Sequence, residues 1–228
     1  KIAQGSHAFI SLSAVSFMTI MKFDRPPVNL AVAPISHAAG MLATGTLAMG
    51  GTVVMETSTR PEDILSSIER HRVSSILLPP TLIYMVLKHP DLDRYDLSSL
   101  KYLMSAGAPI DPDRIREVFS RIGPILCQAY GQTEWGMPLT FMSPEEVGEA
   151  MADEALRHRL ASVGRPVSSL KRLEIIDDEG NVLDAGDVGE IAISGPTVMG
   201  EYVGDPEGTK NAKQDGMQRT GDVGHIDS

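Results

Sequence analysis

The chain has 228 residues, 42% of them hydrophobic, which is enough for one large or two small domains with a substantial core and excludes a disordered chain. Its 20 basic residues against 30 acidic ones leave a net charge of -10, so binding to a nucleic-acid backbone is excluded as its main business and anionic ligands must be met locally. The single cysteine, Cys127, excludes an internal disulfide framework and a cysteine-built zinc site, and it reads as a small buried hydrophobe in a reducing compartment.

No cleavage pattern of a secretory signal follows Lys1 to Gln4, so a cytoplasmic location is expected. The chain begins without methionine and stops at Ser228, just after the alternating run Val223 to Ile226, so it reads as a piece of something longer. The stretch Val28 to Met55 has His37 as its one ionisable residue and is long enough for a membrane span. Pro34, His37, Gly40, Gly45, Gly50 and Gly51 interrupt it, and two buried strands around a helix fit better. The strands expected here are Val28 to Ala33 and Thr52 to Met55, with a small-residue helix over Ala39 to Met49.

Pro61 to Arg72 is predicted helical, with Pro61 in its first turn, Glu62 and Asp63 at the positive end of the dipole, and Ile64, Leu65 and Ile68 on one face. A buried strand over Val73 to Leu78 follows, then a short helix from Thr81 to Lys88 with Thr81 as its cap, and a strand over Leu100 to Met104. Asp111 to Ile122 carries the clearest helical pattern, with Pro112 at its start, Ile115, Val118, Phe119 and Ile122 inward, and Gly123-Pro124 ending it before a strand over Ile125 to Ala129. Strands alternating with amphipathic helices predict an α/β fold with a mostly parallel sheet flanked by helices. Pro144 to Leu160 reads as a charged, helical cover or connector. Short strands with turns then follow, at Arg172 to Ile176, Gly189 to Ser194 and Arg219 to Ile226, with a hairpin turn over Asp177 to Asn181, making a smaller β-rich unit. The expected division is 1–143 for the α/β subdomain and 144–228 for the connector with the β-rich subdomain.

Right-handed crossovers align the C-terminal ends of parallel strands on one edge of the sheet, where ligands of open α/β folds bind. Four loops leave that edge: Pro34 to Gly40, Pro79 to Thr81, Ser105 to Ile110 and Tyr130 to Gly136. They are expected to converge on one crevice, and their Gly, Pro, Ser and Ala content permits close backbone approach to a ligand. The last of them holds Tyr130-Gly131-Gln132-Thr133-Glu134, an aromatic face for a purine, a hydroxyl for phosphate oxygens and a carboxylate for Mg²⁺. Taken singly, this run is as readily a strand-terminating turn.

Five segments in order change that balance: Ala33-Pro34-Ile35-Ser36-His37-Ala38-Ala39-Gly40, Ser105-Ala106-Gly107-Ala108-Pro109, Gln128-Ala129-Tyr130-Gly131-Gln132-Thr133-Glu134, Gly189-Glu190-Ile191 with Gly195-Pro196, and Thr220-Gly221-Asp222. Together they resemble the core of the adenylate-forming (AMP-binding) superfamily, which includes acyl-CoA synthetases, coumarate-CoA ligases, luciferases and peptide-synthetase adenylation domains. The resemblance implies that Thr133 binds phosphate oxygens, Glu134 ligates Mg²⁺ and Asp222 accepts from the ribose hydroxyls, as a vicinal diol requires of a two-oxygen acceptor. It implies further that Ser105, Ala106, Gly107, Ala108 and Pro109 border the adenine, that Tyr130 covers its face beside Ala129 and Gly131, and that Gln128 meets its edge. His37 would flank the acyl group near the reacting carbon, placing it more than transferring a proton. On residue type alone, a lone histidine in an apolar loop is more often structural.

The small residues Ala38, Ala39, Gly40, Ala106, Ala129 and Gly136 suit an apolar, roomy pocket for a hydrophobic carboxylate. Lys1 through Ser6-His7 resembles the end of the family's glycine-rich phosphate loop, which runs into a helix. Ala129 stands where glycine is commoner and Trp135 is a bulky follower of Glu134, which bears on the size of the acyl group. Trp135 itself reads as a packing anchor. The other histidines are scattered and form no metal cluster.

The function implied is ATP-dependent activation of a fatty or aromatic carboxylic acid to an acyl-adenylate and transfer to coenzyme A, with ATP or AMP, Mg²⁺ and coenzyme A as cofactors, no nucleic-acid partner and no membrane span. Homo-oligomerisation is left open. Two alternatives remain, an adenylation domain loading a carrier protein and a nucleotide-binding module without turnover. The 228 residues alone are expected to be inactive.

Overall fold

The computed structural model describes residues 1–32, 34–167 and 172–227, and it folds into two compact units. The larger comprises Ser13–Gly131 and Met137–Val167; the smaller comprises Lys1–Leu12, Gln132–Gly136 and the described part of Ser168–Ser228. The chain opens with α1 (His7–Ile20).

The larger unit alternates strand and helix: β1 (Val28–Ala31), α2 (Ala38–Ala48), β2 (Thr52–Met55), α3 (Pro61–His71), β3 (Ser75–Leu78), α4 (Pro80–Leu87), β4 (Tyr102–Ser105), α5 (Pro112–Arg121) and β5 (Leu126–Gln132). Then come β6 (Gly136–Met142), α6 (Pro144–Ala152), a 3-10 segment (Glu154–Ala161) and β7 (Arg165–Pro166). The seven strands form one sheet in the order β2-β1-β3-β4-β5-β6-β7. Strands β1 to β5 are mutually parallel, in registers such as Val28 with Thr52, Ile76 with Leu103 and Met104 with Cys127, and β7 pairs antiparallel with β6.

The period-two alternation of buried strands sorts their side chains onto two faces. Ile76 and Leu78 of β3, Leu103 of β4 and Leu126 of β5 join Ile64, Leu65 and Ile68 of α3, Ile83 and Val86 of α4, and Ile115 and Val118 of α5. Leu77, Tyr102, Met104, Cys127 and Ala129 face the other way, onto Phe17 of α1 and Leu42 of α2. Each fully buried leucine or isoleucine in these layers stabilises by about 2 kcal/mol, so the alternation fixes the register. Helix α3 shows why local sequence obeys: Pro61 opens it, Glu62 and Asp63 fill its first turn, Arg70 and His71 its last, and Arg72 closes it at φ 52°.

Several expectations change. Thr81 is not a cap, because the helix starts a residue earlier, with Pro80 at its first position and Pro79 before it. The first strand ends at Ala31, and Ala33 of the expected Val28 to Ala33 strand lies outside the described residues. Strand β5 continues through Tyr130, Gly131 and Gln132, so the loop expected over Tyr130 to Gly136 shrinks to a turn at 133–135. The segment after Pro144 is more than a solvated cover: Val147, Ala150 and Leu160 are completely buried in the first core layer.

The smaller unit holds β8 (Arg172–Ile176), β9 (Gly189–Ser194), α7 (Pro206–Ala212), β10 (Lys213–Gln214) and β11 (Met217–Gly224). Its antiparallel sheet runs β10-β11-β9-β8 around Ile176, Ala192 and Met217. The expected turn over Asp177 to Asn181 is present, with the Asp177 Oδ1 accepting from the Asn181 amide at 2.8 Å. The α/β class and the mostly parallel sheet stand as expected, with an antiparallel sheet as the second element. Among the described residues no helix is long and apolar enough to cross a membrane.

Candidate nucleotide and acyl site

In the larger unit, the parallel run of β1, β3, β4 and β5 brings the loops that follow them to one edge of the sheet. Beyond β1, the Pro34 carbonyl accepts from the His37 amide at 3.1 Å and the His37 carbonyl accepts from the Gly40 amide at 2.9 Å, a tight entry into α2. Only glycine fits at position 40, since a Cβ there would collide with the Ile35 carbonyl oxygen. His37 stands exposed at the head of α2 with its Nδ1 2.9 Å from the Ser36 hydroxyl.

Beyond β4, Ser105 and Ala106 are buried while Gly107, Ala108 and Pro109 are exposed. The Ser105 hydroxyl oxygen is buried and, among the described residues, has no hydrogen-bond partner, a polar atom left over at the strand's C-terminal end. On β5, Ala129 is buried, and Tyr130 and Gly131 are half-buried. Gln128 departs from its expected role. Its side chain is 5% exposed, with Nε2 donating to the Leu160 carbonyl at 3.1 Å, so it ties β5 to the 3-10 segment and is not available to a base edge. Cys127 is wholly buried, which pushes its thiol pKa up and leaves it inert.

The smaller unit gathers the remaining polar residues. Thr133 is exposed at the tip of the turn and Glu134 is half-buried beside it, its backbone carbonyl accepting from the Met199 amide at 2.6 Å. The Glu134 Oε1 accepts from the Tyr202 hydroxyl at 2.8 Å. Burial and the Glu134 carboxylate push the Tyr202 phenol up to about 12, so it stays a donor at neutral pH. Lys1 lies over the Tyr202 ring, with its ammonium 4.6 Å from the centroid and 3.5 Å from Asp205. Trp135 is buried, a packing anchor as expected.

Gln132 connects two of the sequence motifs. Its Nε2 donates to the Thr220 carbonyl at 3.2 Å and to the Asp222 Oδ2, so the Thr133-Glu134 turn and the Thr220-Gly221-Asp222 segment belong to one compact cluster. Glu190, quoted in the sequence only as part of a motif, accepts from the Arg219 Nε and from the Gly221 amide, each at 2.7 Å. Gln132, Tyr202 and Glu190, assigned no role from sequence, are joined to the candidate site residues or to each other's segments by hydrogen bonds. Gln132 had a signal, a second polar amide inside the quoted run, and Glu190 lay inside the quoted Gly189-Glu190-Ile191 segment without a role of its own, whereas Tyr202 lay outside every quoted segment.

The donor set suits a magnesium nucleotide. A hard cation needs oxygen ligands, and among the described residues the second Glu134 oxygen carries no hydrogen bond. No cluster of three or more His, Cys, Asp or Glu exists among the described residues, so a cation here would rest on Glu134 and on substrate phosphates, as Mg²⁺ commonly does.

Residues 1–203 match the family described as AMP-binding enzyme. The chain is 33% identical over 220 residues to the medium/long-chain-fatty-acid–CoA ligase FadD8 of Mycobacterium tuberculosis, covering 96% of this chain and 37% of that protein. It is 34% identical over 229 residues to a feruloyl-CoA synthase of Amycolatopsis, covering all of this chain and 44% of that one. Among solved structures, the amide bond synthetase McbA of Marinactinospora thermotolerans superposes with a TM-score of 0.89 at 34% identity, over 99% of this chain and 44% of that one. The chain thus spans less than half the length of the relatives it matches. The match along nearly nine-tenths of the sequence, with the fold it shares, makes the chain a member of the AMP-binding, adenylate-forming enzyme family.

Proposed function

We propose that the whole protein is an AMP-forming acid–thiol ligase, which activates a carboxylic acid with ATP and passes the acyl group to coenzyme A. The observation that carries this reading is the Gln132 tie, which holds a hydroxyl-carboxylate turn and a second carboxylate, Asp222, in one cluster of nucleotide-binding chemistry. In the first step a substrate carboxylate oxygen attacks the α-phosphorus of ATP and the bond to pyrophosphate breaks. In the second a thiol sulfur attacks the acyl carbon, its proton is lost and AMP leaves.

Thr133 donates to phosphate oxygens, Glu134 holds Mg²⁺ and Asp222 accepts from the ribose hydroxyls. Mg²⁺ held there would neutralise negative charge on the phosphate oxygens. Ser105 to Pro109 border the base, Tyr130 covers its face beside Ala129 and Gly131, and His37 orients the acyl group. Tyr202 keeps the Glu134 carboxylate turned by its hydrogen bond. The similarity to FadD8 and to feruloyl-CoA synthase supports a fatty or aromatic acid as substrate. A cytoplasmic location belongs to the same reading, and the free, buried Cys127 is compatible with it.

McbA, an amide bond synthetase, favours a second reading of the acceptor, in which an amine takes the place of the thiol. One assay separates the two. The whole protein is supplied with ATP, Mg²⁺ and a panel of fatty and aromatic acids, pyrophosphate is measured, and products are identified after addition of coenzyme A or an amine. Acid-dependent pyrophosphate release with thioester formation is expected, and amide alone would replace the acceptor. Glu134→Ala should lower the rate by roughly a hundredfold, the loss typical of removing a group that stabilises transition-state charge. Undiminished activity in that variant would remove Glu134 as the metal ligand.

A further inference from the structure

The Thr220-Gly221-Asp222 segment leaves the regular ladder of β11. Gln218 and Arg219 pair with Ile193 and Ala192 of β9, and Val223 and Gly224 with Glu190 and Gly189, with a register shift between Arg219 and Val223. Such a bulge strips backbone groups of their ladder partners and re-aims the side chains on it. Gly221 takes a left-handed φ of 75° within it, which glycine adopts without steric cost. A bulge so arranged needs something to fix where it points.

Glu190 supplies that. Its Oε1 accepts from the displaced Gly221 amide at 2.7 Å, and its Oε2 accepts from the Arg219 Nε at 2.7 Å, with Arg219 Nη2 at 2.5 Å from the same oxygen. Both side chains of this pair are mostly buried. Arg219 is itself held from a third direction by the Gln214 side chain, Nη1 to Oε1 at 2.9 Å. Two guanidinium nitrogens converge on one Glu190 oxygen while the other takes the Gly221 amide, so both ends of the carboxylate are engaged and its orientation is set where a lone charge would not set it.

We propose that Glu190 is a positioning residue: by gripping Arg219 and the Gly221 amide on either side of Thr220, it sets where the Asp222 carboxylate stands for the ribose diol of a nucleotide. The proposal rests on the reading of Asp222 as the ribose acceptor. Glu190 itself touches no substrate. Its removal therefore weakens what depends on the sugar hydroxyls and leaves the affinity for the carboxylic acid alone.

The test compares ATP with 2′,3′-dideoxy-ATP in pyrophosphate release by the whole protein, for wild type, Asp222→Ala, Glu190→Gln and Arg219→Gln, with thermal midpoints measured alongside. Glu190→Gln keeps the shape and one acceptor for the Gly221 amide but loses the charge that holds Arg219. Wild type should prefer ATP in kcat/KM by roughly tenfold, the worth of a hydrogen bond to a charged group, and Asp222→Ala should show no preference. Glu190→Gln should lose most of the preference too, with the KM for the acid unchanged. Should Glu190→Gln fail to fold, Arg219→Gln answers the same question with the carboxylate still in place. A folded variant of either kind that keeps the full wild-type preference, while Asp222→Ala loses it, overturns the proposal and leaves the ribose assignment standing. Equal preference in wild type and Asp222→Ala overturns the ribose assignment and the proposal together.

Discussion

Tyr202 is where one hydroxyl has the most leverage. It donates to Glu134 at 2.8 Å from a half-buried position, and its ring carries the Lys1 ammonium above it. Burial first and the neighbouring carboxylate second raise its pKa from 10.0 to about 12. The sign of the linkage follows. Below about pH 10 the phenol is protonated in both folded and unfolded chains, so the stabilisation is complete. Between about 10 and about 12 the unfolded chain releases the proton while the folded one keeps it, and stability falls as pH rises. Tyr202→Phe should destabilise by about 1 kcal/mol at neutral pH, the usual worth of such a hydrogen bond. That deficit should stay level to about pH 10 and shrink above it, measured as the difference between urea-unfolding curves of wild type and variant. A deficit that does not change through this range would mean that the folded chain does not raise the Tyr202 phenol above its ordinary value.

Helix α6 and its flanks show how elements are fixed and where sequence is silent. Ser143 and Glu146 form a reciprocal cap: the Ser143 hydroxyl accepts from the Glu146 amide at 3.2 Å, and Glu146 Oε2 accepts from the Ser143 amide at 2.9 Å. Glu146 Oε1 also takes Arg165 of β7 at 2.9 Å. Ser143→Ala should cost about 1 kcal/mol by losing the cap, while Arg165→Ala, at an exposed ion pair, should cost less. Chemical denaturation ranks the two, and the reverse order would refute the cap as the dominant contact. Helices α3 and α5 were legible to within a residue at each end because proline starts, acidic first turns and a one-sided apolar stripe all agree. Strand β6 was not foreseen: Gly136 and Pro138 argue against a strand, yet every residue in it is buried, and tertiary packing overrides local preference. Helix α7 was equally hidden, since it buries no residue and so leaves no periodic stripe to read. In the candidate site, the motif residues stood out only because five segments recur in order. Glu190 sat in one of them without a role and Tyr202 in none, because what they do depends on partners 29 and 68 positions away.

Taken as a whole, the molecule divides its labour unequally. The larger unit buries two extended apolar layers, one on each face of its sheet. The smaller has a core cluster of Ile176, Ala192 and Met217, and its polar network of Gln132, Glu190, Arg219 and Asp222 is only partly buried. Hydrophobic burial sets how far a segment opens before it exchanges its amides, so the two should differ in local stability. Amides of Ser75–Leu78 and Tyr102–Ser105 should exchange slowest, and those of Gly189–Ser194 and Met217–Gly224 should exchange measurably faster. A ligand that binds only the folded form stabilises by about 2.7 kcal/mol at a hundred times its Kd. If Asp222 and Glu134 hold a nucleotide, AMP with Mg²⁺ should therefore slow exchange in Met217–Gly224. A chain whose two sheets exchange alike without ligand would refute the stability difference. Protection that appears with AMP only in β3 and β4, and not in β11, would refute the assignment of the ribose and phosphate ligands to the smaller unit.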